Sequence, residues 1–332
     1  MQLIQDHFIA AAVPTWVVRS KGPEGEFLRA AGINWITSTG YISGVSASGK
    51  GLGNATSPAK MLAVFHNLPE AERKPGAVRV PDLKPEEKTL PSPPPGGLIL
   101  KVHGRLLSRD GNNPLRYAAI KDFPLVPPDN PSLVSQAARF TEASPDFVWL
   151  TQEEWRALVP ANLKKGDKVP VPAAISQRLC RFHLVPRRLA GEGAGWGRKA
   201  VRAVEITLTT TEITPSLVRL RLEGSAHIGT DFDPAKATTP NGGLAMGYQA
   251  DLAGWLEYDA SRKAFTRFDV IALGDVWGTW PDANGKSQVI ERPGRNPMAF
   301  TFELADSASS HNRFPPGGNA LYLQPVYGYF AK

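Results

Sequence analysis

The chain has a single cysteine, Cys180, in 332 residues, so it cannot form an intrachain disulfide bond. A zinc site built from several cysteines and a redox-active thiol pair are excluded for the same reason. The surrounding sequence is Arg178-Leu179-Cys180-Arg181-Phe182. Its apolar residues predict a buried, inert thiol, whereas its arginines would lower the pKa of Cys180 if the thiol were exposed.

Histidine is also scarce: there are six, and none stands in the His-x-His or His-Glu-x-x-His spacing of a local metal site. No apolar run approaches the roughly 20 residues of a membrane span. Residues Met1 to Asp6 lack the basic flank and apolar core of a signal peptide. This pattern fits a cytoplasmic protein, or a secreted protein whose signal has been removed.

Charge of one sign does not dominate any long stretch. Lys and Arg number 38 against 31 for Asp and Glu, giving a net charge of +7 and a pI near 9.5. The nearest approach to a basic cluster surrounds a Gly-rich loop and contains Arg187, Arg188, Arg198, Lys199 and Arg202. Because scattered charge mostly solubilises a protein, we do not expect nucleic acid as the partner.

Turn-forming residues, in contrast, are abundant, with 31 Gly and 30 Pro. This composition favours many short strands over long helices. Prolines concentrate in residues 76–97, which predicts an extended, semi-rigid linker. The expected organisation is a small α/β unit over residues 1–75, the linker, and a domain over residues 98–332 that begins with mixed structure and becomes antiparallel and β-rich.

From Val201 onward, apolar and polar residues alternate, as in strands with one buried and one wet face. Successive strands are predicted at residues 201–209, 218–223, 252–258, 265–273, 298–304 and 320–329. The repeated hairpins indicate a barrel or a sandwich. The fold class is therefore α+β, with a few short helices beside the β-rich domain.

The first half of that domain is less regular. A strand is predicted at residues 98–107, and the capping box Thr151-Gln-Glu-Glu154 predicts the start of a helix. A second short helix is predicted at residues 173–182, after Pro172. Residues 123–145 are expected to be a loop.

His227, Asp231 and Asp233 form the best local cluster of metal-ligand residue types. One imidazole and two carboxylates in a loop after a strand can hold a divalent cation. The alternative, which we favour, is an ordinary Asx-type turn with Pro234.

His183 is the candidate general base, because it follows a predicted helix and precedes the Arg-rich loop. Asp275 or Asp269, from a neighbouring strand, would be its carboxylate partner. The alternative is a structural histidine, which is the better expectation from one sequence.

Aromatic residues gather in and beside the second hairpin, at Trp255, Tyr258, Trp277 and Trp280. Exposed tryptophan faces beside Asp and Asn can stack on flat or sugar ligands, which would make this region a binding platform. Buried tryptophans of a β-sheet core are the alternative.

The first 75 residues resemble the later part of a thioredoxin-like domain. The order is a strand at Phe8–Val18, a helix, a strand at Trp35–Val45, a hairpin at Ser48-Gly49-Lys50 and a helix at Pro58–Leu68. The Cys-x-x-Cys motif, the first strand and helix, and a proline directly before Trp35 are missing. The resemblance therefore implies a redox-inactive remnant, onto which no thioredoxin active-site residue carries over.

The sequence as a whole predicts a redox-inactive two-part protein whose β-rich domain binds a small-molecule or polymeric ligand. The alternative is a hydrolase, with or without a divalent metal, that uses the histidines and aspartates of the C-terminal domain.

Overall fold

The computed structural model describes residues 23–33, 43–46, 50–54, 58–73, 91–111, 114–186, 195–237, 245–278, 292–306, 309, 312–317, 323 and 328–330. The chain divides into two compact units, Met1–Leu90 and Pro91–Lys332. Residues 98–200 belong to the same unit as the later strands. No helix among the described residues is long and apolar enough to cross a lipid bilayer.

The N-terminal unit contains a helix, a hairpin and a helix in the predicted order. Its elements are α1 (Pro23–Ala30), β1 (Ser43–Val45), β2 (Gly51–Asn54), α2 (Pro58–His66) and α3 (Glu70–Arg73). Strands β1 and β2 pair antiparallel, which confirms the hairpin. The predicted strand at Phe8–Val18 lies outside the described residues.

One antiparallel sheet of nine strands organises the C-terminal unit. Its strands are β3 (Leu98–Ser108), β4 (Arg116–Tyr117), β5 (Ser144–Leu150), β6 (Lys168–Pro170), β7 (Val201–Ile213), β8 (Leu217–Gly229), β9 (Gly247–Asp259), β10 (Ala264–Trp277) and β11 (Asn296–Leu304). Their order in space is β4-β3-β11-β10-β9-β8-β7-β6, and β5 also pairs with β3. The structure confirms six of the seven predicted strands; most of the seventh, at 320–329, lies outside the described residues.

The sheet is open, so the expected barrel or sandwich is not what the described residues form. At one edge, β6 has three residues and ends at Pro170, which has no N–H to donate. At the edge formed by β5, the backbone N–H of Trp149 donates to the hydroxyl of Tyr329 at 3.1 Å. The carbonyl of Trp149 accepts from Arg178 at 3.2 Å. The side chains of Tyr329 and Arg178 thus occupy the N–H and carbonyl groups of Trp149, with which a further strand would have to pair.

The long strands place alternate apolar side chains on one face of the sheet, where they form a continuous core. Its members from β7 to β10 include Ile206, Leu208, Leu220, Leu222, Leu252, Leu256, Phe268 and Val270. Burying each such side chain stabilises the fold by roughly 1.5–3 kcal/mol. Apolar and polar residues therefore alternate in these strands because one face of the sheet is buried, as the sequence predicts.

Helices of the C-terminal unit are short. They are α4 (Pro131–Thr141), α5 (Gln152–Arg156), α6 (Ala173–Arg178) and α7 (Pro234–Ala237), with 3-10 turns at Ile120–Asp122 and Arg198–Ala200. The capping box before α5 is confirmed: the Thr151 hydroxyl accepts from the N–H of Glu154 at 3.2 Å, and the Glu154 carboxylate accepts from the N–H of Thr151 at 2.8 Å.

The expectation of a loop over residues 123–145 is wrong. Helix α4 lies within this stretch, and its N-cap Asn130 accepts a hydrogen bond from the N–H of Leu133 at 3.2 Å. Pro131 follows at the first helical position, where its missing N–H costs nothing.

Helix α6 continues directly into a π-helical turn, Leu179–His183. Ile175 and Leu179 from this segment pack against the sheet, where a wholly apolar void of about 20 Å³ remains. Because that volume is close to that of one water-sized probe, the core is tightly filled here. The opposite side of the same segment lines the groove considered below.

Candidate functional site

The predicted general base, His183, lies in the π turn with no exposed side-chain surface. Its Nδ1 is 2.7 Å from Oδ2 of Asp146, in β5, and its Nε2 is 2.9 Å from the hydroxyl of Tyr329. The carboxylate that meets His183 therefore comes from β5 and not from the predicted Asp275 or Asp269.

Those two aspartates lie on β10 and meet arginines. Asp275 is 3.1 Å from Nε of Arg295. Asp269 accepts a hydrogen bond from Arg267. Both side chains are partly exposed, so their ion pairs contribute little to stability.

The predicted metal cluster is drawn together only in part. Nε2 of His227 is 3.4 Å from Asp231. Asp233 instead accepts from the N–H of Ala235 at 3.0 Å and pairs with Lys236 at 3.3 Å, which is the Asx-type turn. Within the described residues, no group of three or more His, Cys, Asp or Glu side chains is placed to hold a metal ion.

The residues of the predicted aromatic platform lie in different environments. Trp277 is 2% exposed and its indole N–H donates to the carbonyl of Thr230, so its ring offers no open face. Tyr258 packs against Phe265. Trp255 is 38% exposed on the outer face of β9, while Trp280 lies outside the described residues.

A buried guanidinium, absent from the sequence predictions, joins α6 to the C-terminal segment. Arg178 forms a bidentate pair with Glu154 and donates to the carbonyl oxygen of Tyr329 at 2.7 Å. The guanidinium carbon lies 4.9 Å from the ring centroids of both Tyr329 and Phe330. Burial opposes ionisation of Glu154, but hydrogen bonds from Arg178 outweigh it and hold the pKa of this carboxyl below its usual value.

The hydrogen bonds around Tyr329 fit one tautomer of His183. The Tyr329 oxygen accepts from the N–H of Trp149, and in this tautomer its own proton donates to Nε2 of the imidazole. Nδ1 then carries the imidazole proton and donates to Asp146, whose other oxygen accepts from the N–H of Gly317 at 2.9 Å. Burial raises the pKa of Tyr329 above its ordinary value, which keeps the phenol protonated.

A groove of about 300 Å³ opens in front of this network. Arg181 and Gln177 line it from the helical segment, Arg198 from the 3-10 turn, and Tyr329 from the C-terminal segment. No acidic residue of the described chain lines the groove. Its lining therefore combines three arginines, of which Arg178 is paired with Glu154, with an amide and aromatic carbon.

The two arginines are close enough to affect each other. Burial lowers the pKa of Arg181, and the positive charge of Arg198 lowers it further. Within the described residues, the side chain of Arg198 makes no hydrogen bond or ion pair. Among the described residues, the groove thus presents cationic side chains and no lining carboxylate, an arrangement suited to an anion.

The amino-acid sequence carries only a partial signal for this groove. Arg198 belongs to the basic cluster noted around the Gly-rich loop, but Arg181 and Gln177 were not among the candidates. Their i, i+4 spacing places both on one face of a helix, which was the available clue. Comparison of the chain with protein-family models, curated proteins and solved structures found no match.

Proposed function

We propose that this is a redox-inactive two-part protein whose C-terminal unit binds a small anionic ligand in the groove of Arg181 and Arg198. The observation that carries the proposal is the concentration of cationic side chains in a concave site that no carboxylate of the described residues lines. The N-terminal unit is proposed to be a thioredoxin-like remnant, which the order of its helices and hairpin supports.

The environment of the only thiol, Cys180, supports the proposal that the protein is redox-inactive. Cys180 has no exposed surface, and burial raises its pKa to about 12. A thiolate is needed for thiol–disulfide exchange, so this sulfur is inert at neutral pH.

The size of the groove favours a small ligand over a polymer. A volume of about 300 Å³ is at the lower end of the range for small-molecule sites, about 300–1,000 Å³. Ala173 and Ala174 leave room along one wall, and the nearly buried side chains of Phe182 and Tyr329 lie at its base. A ligand with a charged head and a short apolar body suits this lining.

Calorimetric titration with sodium benzoate and with phenyl phosphate, at low ionic strength, tests the proposal. At least one of the two anions should bind saturably, and Arg198→Ala should weaken it about tenfold, as for loss of one charge-assisted hydrogen bond. Arg262→Ala is the matched control, because this arginine is 79% exposed in the β9–β10 turn. If neither anion binds, or if both variants behave alike, the proposal is wrong.

A hydrolase is the second candidate, and the Asp146–His183 pair is the observation that favours it. Asp–His–hydroxyl chains serve as general-base systems in hydrolases. The imidazole is fully buried, however, so a substrate could reach it only after a rearrangement. Hydrolysis of para-nitrophenyl acetate above background, lost in His183→Gln, would support this candidate; equal rates in both proteins would exclude it for esters.

A further inference from the structure

We infer that the outer face of the large sheet is an interface through which two copies of this chain form a two-fold symmetric dimer. The outer face is the side of β8 to β11 that points away from the hydrophobic core. It carries none of the residues that line the groove, so the inference goes beyond the proposed ligand binding.

A contiguous apolar patch lies at the centre of this face. Trp255, Ile271 and Leu273 are 38%, 41% and 37% exposed, and all three lie on the central strands β9 and β10. The register places Ile271 opposite Ala253 and Leu273 opposite Ala299. The five side chains are therefore direct or diagonal neighbours. Adjacent exposed apolar side chains of this size, unlike a single one, mark an interaction surface.

Charged side chains of both signs border one end of the patch. Nε of Arg219 is 3.1 Å from Glu257, and Nη1 of Arg267 is 3.9 Å from the same carboxylate. Arg221, one level nearer the centre, pairs with Glu223 at 2.8 Å. Because positive and negative groups alternate here, this end of the face can attract an identical surface.

The register of the sheet makes the face complementary to itself. A two-fold axis that runs along the strands between β9 and β10 lays β10 of one copy over β9 of the other. Arg267 is level with Glu257, so a cation of one copy meets a carboxylate of the other. Ile271 is level with Ala253, so apolar side chains meet at the centre. Asp251 falls at the far rim, where its carboxylate stays in contact with water.

The same axis lays β8 over β11. Arg221 and Glu303 lie at one level of the sheet when the pairing of β10 with β11 is continued by one residue, and Trp255 and Asp269 stand between them. Both charged side chains are about half exposed. The axis therefore brings Arg221 of each copy to Glu303 of the other, on either side of the apolar centre.

The area of the face suits a reversible dimer. Four strands about 4.8 Å apart, each with four outward residues about 6.8 Å apart, cover roughly 500 Å² on each copy. Two such faces bury about 1,000 Å² in total, which is near the lower limit for a specific interface. We therefore expect a dissociation constant in the micromolar range.

Sedimentation equilibrium of the full chain at concentrations from about 1 to about 500 µM tests the inference. The wild type should pass from monomer to dimer over this range. Ile271→Lys should raise the dissociation constant about hundredfold, because each copy then brings a charge to the centre of the interface. The matched control is Ile213→Lys, which should leave the constant unchanged, since Ile213 is 40% exposed at the end of β7, outside the patch.

Charge reversal tests the arrangement of the two copies. Arg221→Glu should raise the dissociation constant about tenfold, and Glu303→Arg added to it should restore the wild-type value, because a new carboxylate then meets a new arginine. Far-UV circular dichroism establishes that each variant is folded. Leu273→Lys, expected to act as Ile271→Lys does, provides a second variant at the centre of the patch.

Three results would overturn the inference. The first is a wild-type chain that stays monomeric at every concentration. The second is a dimer that survives both lysine substitutions in the patch, or that Ile213→Lys weakens equally. The third is a double charge variant that dimerises no better than Arg221→Glu alone, which contradicts the two-fold arrangement. None of these results depends on whether the groove binds an anion.

Discussion

Nδ1 of His183 and Oδ2 of Asp146 lie 2.7 Å apart in the interior of the C-terminal unit, although 37 residues separate them in the chain. This pair connects the π turn to strand β5. Through Nε2, it also connects both to Tyr329, close to the C-terminal end of the chain. The network therefore fixes the wall of the groove, which Tyr329 lines on its other side.

Tyr329→Phe should destabilise the protein by roughly 2–4 kcal/mol, because it leaves two buried polar groups without their partner. These are the backbone N–H of Trp149 and Nε2 of His183. Urea denaturation followed by tryptophan fluorescence measures the change.

The control for this variant is Tyr117→Phe, since Tyr117 is 65% exposed. Its free energy of unfolding should stay within about 0.5 kcal/mol of the wild-type value. Equal effects of the two substitutions would show that the buried hydroxyl contributes no more than an exposed one.

Glu154→Gln should lower the free energy of unfolding at pH 7 by about 3–5 kcal/mol, because Arg178 then stays buried without a counter-charge. The pKa of Glu154 is lowered in the folded protein. Its contribution is therefore present above the unfolded-state pKa of about 4.3 and is lost as the pH falls through the lower folded-state value. Urea titrations between pH 3 and pH 7 should show the wild type and the variant converging at the acid end.

The reference substitution for this experiment is Glu205→Gln, on the exposed side of β7. The difference in free energy of unfolding between this variant and the wild type should stay constant across the whole pH range. A difference between wild type and Glu154→Gln that does not shrink at low pH would contradict the assignment of the ion pair.

Cys180 should not react with a thiol reagent such as dithionitrobenzoate in the native protein at pH 8. The sulfur has no exposed surface, and its raised pKa of about 12 keeps the thiolate population very small. In 8 M urea, one thiol per chain should react at the rate of a free cysteine. Rapid labelling of the native chain would show that the segment carrying this residue opens readily.

Elements with a clear period were predictable from the sequence. Strands β7 to β11 alternate because the sheet buries one face, and Thr151 with Glu154 form a local capping box. Strand β5 has no such period, since Phe147 to Leu150 are buried on both faces. Helix α4 had a usable signal, Asn130-Pro131, that was assigned to a loop.

The candidate site was harder to predict, because its contacts join distant parts of the chain. His183 was predicted as a site residue. Its contact with Asp146 depends on the pairing of β5 with β3, and its contact with Tyr329 depends on the position of the C-terminal segment. The approach of Arg181 to Arg198 depends on the hydrogen bonds of Trp196. None of these contacts produces a regular residue spacing that can be recognised in a single sequence.

The most direct test of the central claim is a crystal structure of the chain grown with phenyl phosphate. The phosphate should lie in the groove, with its oxygens within hydrogen-bond distance of the guanidinium group of Arg198. A phosphate bound elsewhere, or a groove that stays empty at saturating ligand, would contradict the account.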